Sequence, residues 1–148
     1  MKSEKGLFVT EIYNFEQNIQ CELPLFTVRV PAGFPSPGDD YIDRKLDLNE
    51  FLIKHPAATF FVRVEGDSMV NAGIHSGDIL IVDRSLEAHD NDIVIAQVNG
   101  ELTVKRIRII KNKLYLVAEN PAFQPIRITP EMSFDVRGVV TYVIHPVR

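Results

Sequence analysis

The sequence holds one cysteine, Cys21, in 148 residues. A single thiol excludes an intrachain disulfide and any cysteine-based metal set, and it suits a reducing compartment. Long hydrophobic runs are also missing: nothing approaches the roughly 18 apolar residues that span a bilayer. There is no excess of positive charge. Sixteen Lys and Arg face 20 Asp and Glu, a formal net charge of −4, so no global field draws the chain to nucleic acid or an anionic membrane. The opening residues, MKSEKGLFVTEIYNFEQ, carry acids and asparagine where a secretory leader would be apolar. Internal repeats and low-complexity tracts do not occur. The absences together lead us to expect a soluble, cytoplasmic protein with no membrane partner and no sequence-specific DNA binding of its own.

What is present fits one domain with an appended arm. Hydrophobic content of 45% and charged content of 24% are ordinary for a globular protein long enough to bury a core unaided. Residues 31–40, PAGFPSPGDD, place three prolines and two glycines in ten positions, which reads as an extended linker. Residues 1–45 are therefore taken as an N-terminal arm and 46–148 as the folded domain. Asp47 followed by Glu50 is a capping-box-like start, and Pro56 a stop, for one short helix over about 47–54. The remainder alternates Val-, Ile-, Phe- and Tyr-rich segments with turn residues, from ATFFVRVEG through DILIVDR, DIVIAQV, ELTVKRIRII, KLYLVAE and PIRIT to FDVRGVVTYVIH. Asn99-Gly100 is a two-residue hairpin signal, and residues 111–113 read as the next turn. The expectation is a mainly β fold: a compact, highly curved core of about seven strands.

The chemistry centres on GDSMVNAGIHSGD, residues 66–78. Ser68 follows an apolar strand at a strand-to-turn junction, where backbone N–H groups can be left free to hold an oxyanion. The bland alternative is a turn in which Asp67 and Ser68 bond their own backbone. A nucleophilic serine needs a base. The four histidines, His55, His75, His89 and His145, lie before a proline, in loops or at the chain end, and read as solvated surface residues. No D-x-x-H follows near the C-terminus, which disfavours a GDSL-type esterase. Lys105 is the other source of a base. In LTVKRIRII, Thr103, Lys105, Ile107 and Ile109 share one face, while Val104, Arg106 and Arg108 share the other. If the arginines face water, Lys105 sits on the apolar face, where burial disfavours the ammonium and leaves a basic amine. Thr103 would orient that amine. The competing reading has Lys105 snorkel to water from a sheet edge.

GDSM followed 37 residues later by TVKR resembles the Ser–Lys self-cleaving peptidases of the LexA/UmuD type. AGFPSPGDDY, DLNEFLIKHPAATFFVRVEGDSM, GDILIVD, DIVIA, TVKR and DVRGVV resemble the UmuD-type members in order and spacing, over roughly residues 30–148. The resemblance implies Ser68 as nucleophile, Lys105 as general base, and the N–H groups of Asp67 and Ser68 as oxyanion hole. It places the scissile bond at Ala32–Gly33 in the chain's own arm, with no metal and no cofactor. It further implies a role in the DNA-damage (SOS) response. RecA on single-stranded DNA would promote self-cleavage, and a trimmed homodimer would join a UmuC-type error-prone polymerase. ELPLF, residues 22–26, is similar to the short peptides that bind the sliding clamp, with Leu23, Leu25 and Phe26 as anchors; the alternative is that these side chains only pack the arm.

Rival readings fare less well. A LexA-like repressor needs a basic helical DNA-binding domain, whereas residues 1–30 hold three Lys/Arg and a β-like pattern. A signal peptidase needs a membrane anchor. The basic run KRIRIIKNK has no interleaved aromatics to stack bases and reads as a solvated hairpin. A catalytically silent binding module, an accessory subunit of a polymerase or clamp, is the remaining alternative.

Overall fold

The computed structural model describes residues 7–14, 22–26 and 42–148, so Cys21, Ala32, Gly33 and the Pro/Gly linker of residues 31–40 lie outside the described residues. Ten strands follow in order: β1 (Phe8–Asn14), β2 (Glu22–Phe26), β3 (Ile42–Asp47), β4 (Thr59–Glu65), β5 (Ile79–Asp83), β6 (Ile93–Val98), β7 (Glu101–Ile110), β8 (Lys113–Val117), β9 (Ile126–Arg127) and β10 (Phe134–Ile144). One helix, α1 (Leu48–Leu52), separates β3 from β4. Short 3₁₀ turns occur at Pro56–Ala58 and Val70–Ala72.

The main sheet runs β1-β4-β5-β10-β6-β7-β8-β9, and a further β1–β7 pairing closes its first six strands into a barrel. All of its pairings are antiparallel. Curvature comes from register breaks at Val9/Glu11, Val136/Gly138 and Val140/Tyr142, each adding a residue that bends and twists its strand. The mainly β expectation holds. The β6–β7 hairpin turns at Asn99 (φ 49°) and Gly100 (φ 87°), the left-handed pair that the Asn-Gly signal requires. Lys111 and Asn112 repeat that conformation in the β7–β8 turn.

Contacts divide the chain into one unit of residues Met1–Phe15 with Ala57–Arg148 and another of Glu16–Pro56. This division does not follow the break read at residue 45. β1, taken from the sequence as part of the arm, is a strand of the barrel, and α1 groups with the β2–β3 hairpin rather than with the barrel. The reason is physical: β1 finds its partners about 50 to 95 residues away, a pairing that local composition does not encode. In the smaller unit, Asp47 caps α1 by accepting the N–H groups of Asn49 (2.9 Å) and Glu50 (3.4 Å).

The barrel core gathers Leu7, Val62, Met69, Leu80, Ile95 and Val104, all essentially inaccessible. A second cluster joins Val94, Ala96, Ile107, Leu116 and Val139. β7 contributes to both, Val104 to the first and Ile107 to the second. This corrects the sequence expectation that Val104 shares a water-facing side with Arg106 and Arg108. Around residues 104–107 β7 is covered on both faces, by the barrel core over Val104 and by the second cluster over Ile107, so a buried/exposed alternation fails there.

Candidate active site

Ser68 sits in the loop that leaves β4. The chain turns at Gly66, whose φ of 115° is open to glycine and costly for other residues. Two anchors then fix the loop. The Met69 side chain is fully buried in the barrel core, and its carbonyl accepts the N–H groups of Ala72 (3.0 Å) and Ile74 (3.3 Å). Asn120 Nδ2 donates to the Asp67 carbonyl at 2.9 Å. Asn71 N–H donates to the Glu119 carbonyl at 2.9 Å, so the same 119–120 segment holds the loop twice. Gly73, with φ 82°, ends the 3₁₀ turn and returns the chain toward β5. The loop is a rigid mount for Ser68, whose side chain is itself inaccessible.

Lys105 reaches the same point from β7. Its side chain is buried, at 6% exposure, so it does not snorkel. Nζ lies 2.8 Å from Thr103 Oγ1, 3.4 Å from Ser68 Oγ and 3.3 Å from the Val104 carbonyl. Thr103 and Lys105 lie on one face of β7, two residues apart, which is why the hydroxyl can hold the amine. Removing an ammonium from water is costly, so a buried lysine is a candidate general base. A neutral amine at hydrogen-bond range of a serine hydroxyl can take its proton; the 3.4 Å separation is of the loose kind that tightens when substrate arrives.

The N–H groups of Asp67 and Ser68 make no hydrogen bond among the described residues. An open groove of about 470 Å³ has Lys105 and Thr103 in its wall, with Phe8, Phe123, Ile126 and Met132 among its other lining residues. The groove mixes apolar walls with Asn99, Glu101, Thr103, Lys105 and Gln124. Ala32 and Gly33 lie outside the described residues. Leu23, Leu25 and Phe26 fall on β2, which pairs with β3 from Glu22↔Asp47 to Phe26↔Ile42.

Residues 24–141 match the peptidase S24-like family. The chain belongs to this family. Protein SamA of Salmonella typhimurium is 48% identical over 90% of this chain and 92% of its own length. Protein ImpA of Escherichia coli is 46% identical over 84% of this chain and 85% of its own length. A LexA repressor of Stenotrophomonas maltophilia is 35% identical over 81% of this chain, but that match covers 56% of the repressor. The S24-like chain is thus a self-cleaving serine peptidase of the SOS response. Among the described residues, no helix is long and apolar enough to cross a membrane.

Three groups escaped the sequence reading. Leu7 N–H donates to Ser68 Oγ at 3.0 Å, although 61 residues separate them. Asn120 holds the serine loop, with no signal beyond its place in a turn. His75 and His145, read as separate solvated residues, meet at buried Asp78: His145 Nδ1 lies 2.6 Å from Oδ1, and the two rings are 4.7 Å apart. The ligand atoms of His75, Asp78 and His145 fall within 4.8 Å of one another. A set of metal-ligand type therefore exists where none was expected, because the β10 end and the turn before β5 come together only in the fold.

Proposed function

We propose that Ser68 is the nucleophile and Lys105 the general base of a self-cleavage at Ala32–Gly33. One observation carries the assignment: a buried lysine amine, held by Thr103, within 3.4 Å of a buried serine hydroxyl. The neutral Lys105 amine takes the Ser68 hydroxyl proton as Oγ bonds to the Ala32 carbonyl carbon. The oxyanion is held by the N–H groups of Asp67 and Ser68. Collapse breaks the C–N bond, and Lys105 returns the proton to the departing Gly33 amine. Water, deprotonated by the same amine, then frees Ala32 from the Ser68 ester. No step needs a metal or cofactor. A small residue and a glycine at the bond let an extended backbone approach closely.

The role that accompanies this chemistry follows the resemblance. RecA filaments on single-stranded DNA promote the cut, and the trimmed chain, as a cytoplasmic homodimer, serves a UmuC-type translesion polymerase. The similarity to SamA and ImpA supports placing the chain in SOS mutagenesis. The 14 residues from Gly33 to Asp47 reach on the order of 45 Å when extended, enough for either cis or trans delivery of the bond.

The test is self-cleavage of purified chain, read by intact mass. Ser68→Ala and Lys105→Met each abolish release of a fragment beginning at Gly33 while the chain still folds, Ser68→Ala at a cost of about 1–3 kcal/mol because it leaves the Leu7 N–H without its acceptor. Ala32→Trp or Gly33→Val blocks the cut by bulk. A fragment from either dyad variant at the parental rate refutes the assignment.

A further inference from the structure

The cleft beside the serine and lysine is occupied by the chain's own N-terminal strand. β1 lies antiparallel to β4 from Phe8↔Glu65 to Asn14↔Phe60, and touches β7 through the single pair Phe8↔Thr103. β4 leads into Ser68 and β7 carries Lys105. The strand thus sits between the two elements that deliver the reacting side chains. The residue preceding it lands on the nucleophile: Leu7 N–H donates to Ser68 Oγ at 3.0 Å, while the Leu7 carbonyl accepts from Thr103 Oγ1 at 3.5 Å. The Leu7 side chain is fully buried in the barrel core, and Phe8 forms part of the wall of the groove that Lys105 lines.

This arrangement has the form of a bound substrate and none of its chemistry. Extended peptides are held by pairing with sheet edges, as β1 is here. Yet what meets Oγ is an amide N–H donor. It engages one of the oxygen's lone pairs and sets the Leu7 peptide directly against Oγ, where a scissile carbonyl would have to approach. Two extended segments cannot pair with the same edges of β4 and β7 at once.

We propose that β1 is a built-in blocking strand: residues 7–14 fill the strand-docking cleft of the uncut chain and leave it before the cleavage segment reaches Ser68. This rests on the assignment of Ser68 and Lys105 given above. The attachment is lopsided in a way that suits release. A long register and the Glu11–Arg63 ion pair at 3.3 Å hold β1 to β4, while one residue pair closes the seam to β7. Phe8, Ile12 and Tyr13 are 46%, 58% and 41% exposed, so much of the strand's own side-chain surface is uncovered. β1 is also N-terminal to Gly33. A cut at Ala32–Gly33 separates it covalently from the barrel and converts a tethered occupant into a free ligand that dilution removes. Self-cleavage in this account leaves a product whose cleft is open to an extended apolar segment.

The rate of an internally blocked enzyme scales with the fraction of molecules in which the block is off. The experiment follows release of the fragment beginning at Gly33 from purified full chain at alkaline pH. Glu11→Lys sets two cations where an ion pair now pins β1, at a side chain outside the reacting groups. Removal of residues 1–14 deletes the strand. We expect Glu11→Lys to cleave about threefold faster or more, and the truncated chain faster still. A synthetic peptide of residues 7–14 then slows the truncated chain in proportion to its concentration. Equal or slower cleavage by Glu11→Lys overturns the proposal, as does a peptide without effect on a folded truncated chain. A fragment beginning at Leu7 overturns it in another way, by making β1 a substrate. Should the truncated chain unfold, Glu11→Lys with an unchanged unfolding midpoint decides alone. Absence of cleavage in every chain removes the Ser68–Lys105 reading and the blocking strand with it. Cleavage at one common rate removes only the blocking strand.

Discussion

Ser68 and Lys105 are both buried, and burial does different work at each. Ser68 is held against the barrel core at 0% exposure, and Lys105 at 6% has most of its side chain out of water, as the proposed base requires. Thr103 aims the amine through a 2.8 Å hydrogen bond. Thr103→Val, which keeps the shape and removes that bond, is expected to slow self-cleavage about three- to tenfold, the equivalent of one net hydrogen bond. A rate equal to the parent's would free Thr103 from any positioning role. A second residue-scale prediction concerns Asp90, which accepts the Ile109 N–H at 2.8 Å and Arg108 Nε at 3.1 Å. The backbone bond first, and the Arg108 guanidinium with it, hold this carboxyl below the usual carboxylate range. Because the folded value is the lower one, the stabilisation is present above about pH 3.9 and is lost as pH falls through the folded value. Carboxyl carbon NMR should find the Asp90 midpoint below that of an ordinary aspartate; a midpoint at or above it contradicts the geometry. How much of this was legible varies by residue. The period of two put Lys105 with Ile107 on one face, and the two are indeed buried together. The contact of Leu7 with Ser68, and the meeting of His75 with His145, depend on separations of 61 and about 70 residues that no local pattern carries.

At the scale of elements, the strands from β4 to β8 and β10 were readable as Val-, Ile-, Phe- and Tyr-rich runs between turn residues, and Asn99-Gly100 named its own hairpin, whereas β3, with its acids and bases, was read as part of the arm. Their pairing order was not readable. β10 runs between β5 and β6, and β1 closes the seam, arrangements chosen by packing rather than by sequence adjacency. β10 accommodates its neighbour at Gly138, beside the register break after Val136. A Cβ there would lie 2.5 Å from Val82 Cγ1 and 3.3 Å from the Asp83 carbonyl oxygen. Val82 is fully buried and has no room to withdraw. Gly138→Ala is therefore expected to cost about 1–3 kcal/mol, seen as a fall of several degrees in the unfolding midpoint. An unchanged midpoint would mean that β5 and β10 are less closely packed than described.

At the scale of the whole molecule, the proposed cut at Ala32–Gly33 makes one chain both enzyme and substrate and would remove everything before Gly33. If Leu23, Leu25 and Phe26 contact a sliding clamp, Leu25→Ala/Phe26→Ala lowers binding of the uncut chain to purified clamp, and residues 33–148 alone bind weakly with or without it. Equal clamp binding by the uncut chain and by residues 33–148 would leave β2 only a packing and substrate segment. The central claim is that a neutral, buried lysine activates Ser68 against the chain's own peptide bond. The pH–rate profile of partner-free self-cleavage tests it most directly. The account predicts a rate that climbs about tenfold per pH unit from neutrality and levels off once Lys105 is deprotonated. A rate that stays flat between about pH 7 and 10, across which a lysine of reference pKa about 10.4 must change its neutral fraction, would contradict it.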